Sequence, residues 1–257
     1  PSRPIAIRSV IRPVRRARRG RGRRRAAARR DGRGGRAVSD ARAEILARVR
    51  RALADVPPAE AAADVAVPRA YRRAGALAAA EAVDQFARHC GAYRADVRRV
   101  EAAQLPAAIA DALARRGARR LAIPADLPAA WRVPEAGGAP VTWIEDDDLT
   151  PAQLSAVDGV VTGCAVAIAV NGAIVLDGGP AQGRRALTLL PDYHLCVVRA
   201  DQVVELVPEA IARLADAARA GRPMTMIAGP SATSDIELDR VEGVHGPRTL
   251  DVVLVAA

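Results

Sequence analysis

The stretch Gly229-Pro230-Ser231-Ala232-Thr233-Ser234-Asp235-Ile236-Glu237 separates two apolar runs, residues 224–228 and 250–255, that predict buried strands. A second polar cluster, Glu242-Gly243-Val244-His245-Gly246-Pro247-Arg248, directly precedes the second run. In an open α/β sheet, ligands bind beyond the strand ends, where the chain turns. The pattern therefore predicts an α/β domain with a ligand pocket between these two strands.

The first polar stretch has a simpler interpretation, which is the start of a helix after a strand. It supplies a glycine and a proline for the turn, three hydroxyls for the cap and two carboxylates for the first helical turn. If the first N–H groups of that helix stay uncapped, they would bind a carboxylate or a phosphate. The candidate ligand-binding residues here are Gly229, Ser231, Thr233 and Ser234, and Asp235 is a candidate catalytic carboxylate.

The strong positive charge belongs to the N-terminal part of the chain. The 257 residues carry a net charge of +10, and residues 1–37 contain fifteen arginines and one aspartate, which leaves −4 for the other 220 residues. A segment rich in arginine and glycine cannot bury a core, so we expect residues 1–37 to be disordered. A nucleic-acid-binding arm is an alternative that we consider unlikely, because no aromatic residue alternates with the arginines to stack on bases. We favour a third interpretation, in which translation begins at Val38 and residues 1–37 are upstream sequence, because Val38-Ser39-Asp40 opens a predicted capped helix and a valine codon can serve as a bacterial start.

Targeting and redox signals are few. No apolar segment follows the paired arginines, and no run reaches 18 apolar residues, so we expect a cytoplasmic protein without a membrane span. The three cysteines, Cys90, Cys164 and Cys196, form no CxxC pair, which predicts buried reduced thiols rather than an iron–sulfur or zinc site. The sequence also lacks the GxSxG, Walker A and GxGxxG motifs.

Three segments follow from the patterning. After the tail (1–37) comes an N-terminal helical segment (38–90). Its first helix is capped by Ser39 or Asp40 and runs to Ala54. A Pro/Ala linker at 56–70 leads to a second helix over 75–90. Residues 91–257 form the α/β domain, in which strands and helices alternate, as in a largely parallel sheet flanked by helices. Predicted strands are 93–100, 121–123, 141–144, 159–162, 194–198 and 203–207, and predicted helices are 106–116, 151–157 and 208–220.

Two further patterns stand out in the domain. Residues 164–170 and 173–176 are apolar runs joined by Asn171-Gly172, a strong hairpin signal that predicts a mixed sheet. The acidic run at 145–148 is interpreted as a solvated loop, with a metal site as the less favoured alternative.

Arginine and glycine residues extend the candidate anion site. Thr162-Gly163 closes a predicted strand, where backbone N–H groups could hold an anion. Arg184 and Arg185 follow the glycine-rich loop that contains Gly183, and an arginine fork binds a carboxylate or phosphate through two hydrogen bonds. A solvated or ion-paired arginine pair is the alternative.

Two histidines have different contexts. His194 lies inside an apolar strand and is interpreted as a core residue or as a residue that supports the site from behind. His245 lies between Gly243 and Gly246, beside Glu242 and Arg248, and is the candidate proton carrier. The candidate catalytic residues are therefore His245, Glu242 and Asp235, with Arg248 added to the ligand-binding set and no metal ligands assigned.

The motifs together resemble the LUD domain family over about residues 39–255, most closely its LutC-like members from bacterial L-lactate utilisation systems. The resemblance rests on Thr162-Gly163, the loop Asp177-Gly178-Gly179-Pro180-Ala181-Gln182-Gly183-Arg184-Arg185, Pro191-Asp192 and the two polar clusters. It implies a fold of the NagB/RpiA/CoA-transferase type. It also implies a role in oxidising L-lactate to pyruvate with LutA-like and LutB-like partners, which carry the iron–sulfur clusters that this chain lacks.

The sequence departs from the family pattern at the hairpin. Members usually have Ile-Ala-Glu-Thr-Gly-Thr where this chain has Ile168-Ala169-Val170-Asn171-Gly172-Ala173. The turn is kept, but the acidic residue is lost, so the fold is expected to survive while a function of that glutamate is not. A standalone enzyme acting on an acyl, CoA or sugar-phosphate ligand in a pocket of the same fold is the alternative function.

Overall fold

A computed structural model describes residues 34–57, 67–233, 241–243 and 245–256, with only the backbone described for 34–40, 232–233 and 241–242. The chain divides into two units between Pro68 and Arg69. In the first unit, helix α1 spans Gly34–Ala52. It begins ahead of Ser39 and Asp40, so the predicted cap is wrong; alanine and arginine are good helix formers, and the helix extends through them. The predictions for residues 1–33 lie outside the described residues.

The second unit contains five helices among its described residues. The helix predicted over 106–116 forms with Pro106 in its first turn, and Gly117 ends it in the left-handed conformation, at φ +65°. The helix predicted over 208–220 is broken at Leu214, and the one predicted over 151–157 is shorter. The helices are α2 (Ala79–Ala92), α3 (Leu105–Arg116), α4 (Pro151–Ser155), α5 (Val207–Arg213) and α6 (Ala215–Arg219). No helix among the described residues is both long and apolar enough to cross a membrane.

Helix α2 begins at Ala79 instead of the predicted Gly75, and a glutamate binds the backbone that precedes it. The Glu205 carboxylate accepts hydrogen bonds from the N–H groups of Ala76 (2.5 Å) and Leu77 (2.8 Å), and Arg72 Nη2 lies 3.4 Å from it. We call residues 72–77 the strap. The backbone hydrogen bonds, with the nearby arginine, lower the pKa of Glu205.

A six-stranded sheet forms the centre of the second unit, and all its pairings are parallel. The strand order is β1-β14-β9-β6-β2-β5, so the last strand of the chain lies inside the sheet. The strands are β1 (Asp96–Val100), β2 (Arg120–Ile123), β5 (Thr142–Glu145), β6 (Gly159–Thr162), β9 (Tyr193–Arg199) and β14 (Thr249–Val255). The short strands β3 (Glu135–Ala136) and β4 (Ala139–Pro140) form a separate pair.

The predicted hairpin is present, but it belongs to a second sheet. Strands β7 (Val166–Ile168) and β8 (Ala173–Leu176) pair antiparallel, with Ile168 opposite Ala173. The connection therefore has four residues, not the two-residue Asn-Gly loop that the sequence suggested. Strands β10 (Val203–Val204) and β11 (Thr225–Ile227) complete a four-stranded sheet in the order β10-β7-β8-β11. The fold class is confirmed, and the antiparallel pairing is segregated from the parallel sheet.

The six-stranded sheet is covered on both faces. Alternate residues of a strand point to opposite faces, and in β9 Leu195 and Val197 pack with α3. On the other face, Cys196 and Val198 pack with α2 and with the inner face of the second sheet. Both faces are therefore apolar, as expected for a buried parallel sheet.

One charged group is buried on the α3 face. Asp251 of β14 is 1% exposed; it accepts a hydrogen bond from the Tyr193 hydroxyl (3.0 Å) and two from Arg116, at 2.6 and 3.3 Å. Burial, reinforced by Asp251, raises the pKa of Tyr193 far above its usual range. We call Asp251, Tyr193 and Arg116 the Asp251 centre.

Candidate functional site

A cavity of about 240 Å³, here called the His194 cavity, lies where the two polar clusters of the sequence meet. His194, at the start of β9, and Leu250, at the start of β14, line it from the parallel sheet. Strand β11 contributes residues 225–227. Residues 229–231 and 245–247 complete the lining with Thr188 and Leu189. The cavity thus combines three hydroxyl side chains, two histidines and apolar walls, and none of its described lining residues is acidic.

His194 is fully buried and lines this cavity. Its Nε2 lies 2.8 Å from Thr162 Oγ1, in the neighbouring strand β6. Its Nδ1 is buried and has no hydrogen-bond partner among the described residues. Buried polar atoms are nearly always paired, so an unpartnered nitrogen in a residue that lines a cavity calls for an explanation. The sequence analysis expected His194 to be a core residue or to support the site from behind, and its burial agrees with that, but the unpartnered nitrogen was not predicted.

The loop after β11 closely approaches other backbone segments. Gly229 has φ +79°, and a side chain there would come within 2.4 Å of the Tyr93 carbonyl oxygen, so this position requires glycine. Ser231 N–H donates to the Pro247 carbonyl (2.8 Å), and Ser231 Oγ accepts from His245 N–H (2.9 Å). Ser231 thereby ties the two polar clusters together, and the exposed His245 side chain lies at the rim of the cavity.

The helix predicted in the first polar cluster does not begin at Ser231. Residues Ala232–Thr233 form a short strand, β12, which pairs antiparallel with β13 (Val241–Glu242). Ala232 lies opposite Glu242 and Thr233 lies opposite Val241, so the predicted cap at Ser231 is wrong. Ser234 and Asp235 lie outside the described residues.

A second cavity of about 300 Å³, the Arg185 cavity, adjoins the first through the shared residues Thr188 and Thr225. Gly183, Arg184 and Arg185 line it, as the sequence analysis had grouped them. Gly183 adopts φ +68°, and a side chain there would collide with Leu187.

The two arginines of this cavity are in different states. The Arg184 guanidinium donates two hydrogen bonds of 2.8 Å to the Asp146 carboxylate, and this contact raises the pKa of Arg184. Arg185 is exposed and has no acidic partner among the described residues. Of the two, Arg185 is the one free to take an external anion.

The acidic run after β5 is not simply a solvated loop, because Asp146 is held by Arg184 and Glu145 lies 2.6 Å from Arg132. The Asp146 side chain is only 3% exposed. Among the described residues, no group of three or more histidine, cysteine or acidic side chains could hold a metal ion. The metal alternative for this run therefore gains no support.

Gly163 does not offer its N–H to an anion, contrary to expectation. That N–H donates to the carbonyl of Ala181 (2.7 Å), and Ala181 N–H donates to Asp126 (2.8 Å). Gly163 lines a third cavity of about 460 Å³, which shares Asp177 and Arg222 with the Arg185 cavity. Thr162 is buried, contacts His194 and lines none of the three cavities, so only Gly163 of the predicted pair reaches a cavity.

A family model described as the LUD domain matches residues 83–255, which include the lining of all three cavities. The chain belongs to the LUD domain family. A relative named lactate utilization protein C, from Deinococcus radiodurans, is 46% identical over 218 residues, which is 85% of this chain and 97% of that protein. Another protein of that name, from Shouchella clausii, is 28% identical over 65% of this chain and 76% of its own.

The fold has also been seen experimentally. A crystal structure of a DUF162 family protein from Deinococcus radiodurans, 44% identical to this chain, aligns with a TM-score of 0.60 over 70% of this chain and 99% of its own. An uncharacterized protein of Escherichia coli, YkgG, is 41% identical over a shorter stretch, 30% of this chain and 35% of its own length.

The departure from the LUD family pattern at the hairpin lies away from the cavities. Val170 is 42% exposed and lines none of the three cavities described above. Its backbone N–H donates to the Glu205 carbonyl (3.0 Å), and Gly172, at φ +62°, packs against the backbone of Cys90. Replacing the usual glutamate by Val170 therefore alters an exposed position and leaves the cavity lining intact.

The remaining predicted residues of this LUD domain are at the periphery. Arg248 is exposed, and its Nε lies 3.8 Å from Asp192 Oδ1. The three cysteines are free and buried, as predicted. Burial raises the pKa of Cys90 to about 12, so its thiol stays protonated at neutral pH. The roles assigned to the site residues from sequence stay predictions. The three cavities adjoin one another through shared lining residues, Thr188 and Thr225 between the first two and Asp177 and Arg222 between the second and the third.

Proposed function

We propose that this chain is the LutC-like component of a system that oxidises L-lactate to pyruvate together with partner proteins carrying iron–sulfur clusters. The observation that carries the proposal is its 46% identity to the Deinococcus radiodurans lactate utilization protein C along 97% of that protein. The cavity chemistry supports it, because hydroxyl groups, histidines and an unpaired arginine suit a small carboxylate.

Lactate oxidation releases two electrons and two protons, and the electrons need an acceptor. Iron–sulfur clusters are held by four cysteine thiolates, whereas this chain has three cysteines, all buried and none in a CxxC pair. The residues present do not fit such a cluster. In this proposal the chain binds and orients the substrate, and the partners take the electrons.

Within the cavities, Arg185 would bind the substrate carboxylate, and His245 would carry the hydroxyl proton. Arg185 is exposed and has no acidic partner among the described residues, and the shared Thr188 and Thr225 connect its cavity to that of His194. His245 is anchored through its backbone to Ser231, so its side chain is free to reach a ligand at the rim.

The test is reconstitution of the complete chain with its iron–sulfur partners and measurement of L-lactate-dependent dye reduction. We expect Arg185→Ala to raise the KM for L-lactate about tenfold or more, since a charge-assisted hydrogen bond contributes about 1.5–3 kcal/mol. Arg219→Ala is the matched control, because Arg219 is 74% exposed and, among the described residues, forms an ion pair only with Asp216; it should leave KM unchanged.

Two results would count against the proposal. If dye reduction proceeds at the same rate without this chain, its role in lactate oxidation is wrong. If Arg185→Ala and His245→Ala both retain the wild-type KM and kcat, the function can stand but the assigned site is wrong.

A further inference from the structure

We propose that His194 contacts the ligand directly on the floor of its cavity, with Nδ1–H donating a hydrogen bond to an acceptor oxygen of a small carboxylate or carbonyl compound. His194 is fully buried, lines the cavity and leaves Nδ1 without a partner among the described residues. A buried polar atom without a partner lowers the stability of the fold. A ligand that supplies the missing partner recovers that energy on binding.

The tautomer follows from counting hydrogen-bond partners. Thr162 Oγ1 lies 2.8 Å from Nε2, and no other hydrogen bond of that hydroxyl is found. If the Thr162 hydroxyl donates to Nε2, both atoms are satisfied and only the Nδ1 proton is orphaned. If Nε2–H donates to Thr162, both the hydroxyl proton and the Nδ1 lone pair are orphaned. The first arrangement is therefore the more stable, and it leaves the proton on Nδ1 of a residue that lines the cavity.

The cavity selects a small ligand rich in acceptor oxygens. Its volume of about 240 Å³ lies below the range of about 300–1,000 Å³ that is usual for drug-sized ligands. The hydroxyl groups of Thr188, Thr225 and Ser231 line it together with apolar side chains, and no described lining residue is acidic. A carboxylate or carbonyl oxygen meets no negative charge from the described lining residues, whereas a cation would gain no acidic partner among them.

His194 and His245 then have separate tasks. His194 is held by Thr162 and can bind only through Nδ1, whereas His245 is exposed at the rim and has a free side chain. Thr162 acts as a positioning residue, because its hydroxyl sets which nitrogen of His194 carries the proton. The choice of L-lactate and pyruvate as probes rests on the proposed function; the donor at Nδ1 does not.

The experiment uses the full-length chain with ¹⁵N-labelled histidine, titrated with pyruvate, L-lactate and acetate. The nitrogen shifts report which ring nitrogen carries the proton. His89 provides an internal reference, since its Nδ1 lies 2.8 Å from the Ala169 carbonyl oxygen and must donate to it. We expect His194 to be protonated at Nδ1, and the probes to move its signals while those of His89 stay fixed.

Two variants separate the ring nitrogens. In His194→Asn the amide NH₂ takes the place of Nδ1 and keeps the donor to the ligand, whereas in His194→Gln the amide keeps the contact to Thr162 and loses that donor. We expect pyruvate affinity, measured by calorimetry, to fall about tenfold or more in His194→Gln and less than about threefold in His194→Asn. Thr162→Val should shift the wild-type tautomer towards Nε2–H.

Several outcomes would overturn the inference: a wild-type His194 protonated at Nε2, signals that no probe moves because a water satisfies Nδ1, or equal affinities in the Gln and Asn variants. The two proposals fail separately. If carboxylates bind at His194 but the reconstituted system oxidises no lactate, the function fails and the inference stands. If the system is active and His194→Gln keeps the wild-type KM and affinity, the inference fails and the function stands.

Discussion

Two neighbouring residues of β9, Tyr193 and His194, enter buried polar centres on opposite faces of the same sheet. On the α3 face, the Asp251 centre is complete, with each oxygen of the Asp251 carboxylate accepting at least one hydrogen bond. On the other face, the Thr162–His194 pair is incomplete, because Nδ1 has no partner among the described residues. A complete buried centre stabilises the fold, and an incomplete one beside a cavity costs stability and is available for a ligand.

The largest effect is expected at the complete centre. Asp251→Ala should lower the free energy of unfolding by about 3 kcal/mol, because it leaves the Tyr193 hydroxyl buried without a partner and removes the charge paired with Arg116. Urea unfolding measures this loss. Asp96→Ala is the control, since Asp96 faces the same arginines but its side chain is 46% exposed; its cost should stay below about 1 kcal/mol. Equal losses of unfolding free energy in the two variants would mean that the buried Asp251 centre stabilises the fold no more than the exposed Asp96 contact does.

The incomplete centre should respond in the opposite direction. The double variant Thr162→Val/His194→Leu replaces both partners by apolar groups of similar size and removes the orphaned Nδ1. We expect the free energy of unfolding to be unchanged or to rise by about 1 kcal/mol, while pyruvate binding is lost. Thermal and urea unfolding, with calorimetric binding, measure both effects. A destabilisation above about 2 kcal/mol would indicate that His194 has a structural partner after all and would remove the contrast between the two centres.

The smallest expected effect is local and concerns Glu205, a third buried polar group. Glu205→Gln should speed hydrogen exchange at the Ala76 and Leu77 amides while global stability changes little, because the two N–H groups lose a charged acceptor. The matched control is Glu209→Gln, whose carboxylate accepts from the Leu206 N–H and caps α5 instead. The assignment would be contradicted if the Glu209 variant also showed faster hydrogen exchange at the strap amides, or if exchange in the Glu205 variant stayed at the wild-type rate.

The same group gives a pH dependence with a defined sign. The pKa of Glu205 is lowered from its usual 4.5 by the strap N–H groups. The contribution of Glu205 to the stability of the strap is therefore fully present above pH 4.5, and it is lost as the pH falls through the lowered pKa. In the wild type, protection of the strap amides from hydrogen exchange should decline over that acidic pH range. In Glu205→Gln it should not change with pH over the same range.

Local patterns predicted much of the fold. Alternating apolar runs located β6 and most of the other parallel strands within a few residues, and Asn171-Gly172 located the hairpin. Which sheet the hairpin joins depends on pairing between β8 and β11, some fifty residues apart in the chain, and no local pattern contains that information. The cap expected at Ser231 failed for the same reason, because Ala232 and Thr233, which follow it, pair with β13.

The candidate site was predicted in part. The sequence correctly singled out Gly229, Ser231 and His245 as neighbours, because their clusters flank two adjacent chain turns. It could not distinguish Arg184 from Arg185, since Asp146, which pairs with Arg184, lies 38 positions away in the sequence. It missed His194 because an orphaned nitrogen is visible only once the neighbouring strand is in place. A histidine within the apolar run of β9 was the signal that could have drawn attention to it.

The position of β14 has a consequence for how the molecule is made. This strand follows both β1 and β9 in the chain, yet it lies between them. Until residues 249–255 have been synthesised, the sheet is divided into two separate parts, and β1 lacks its parallel partner. A ribosome stalled before Thr249 would therefore carry a chain with exposed strand edges, which are prone to aggregation.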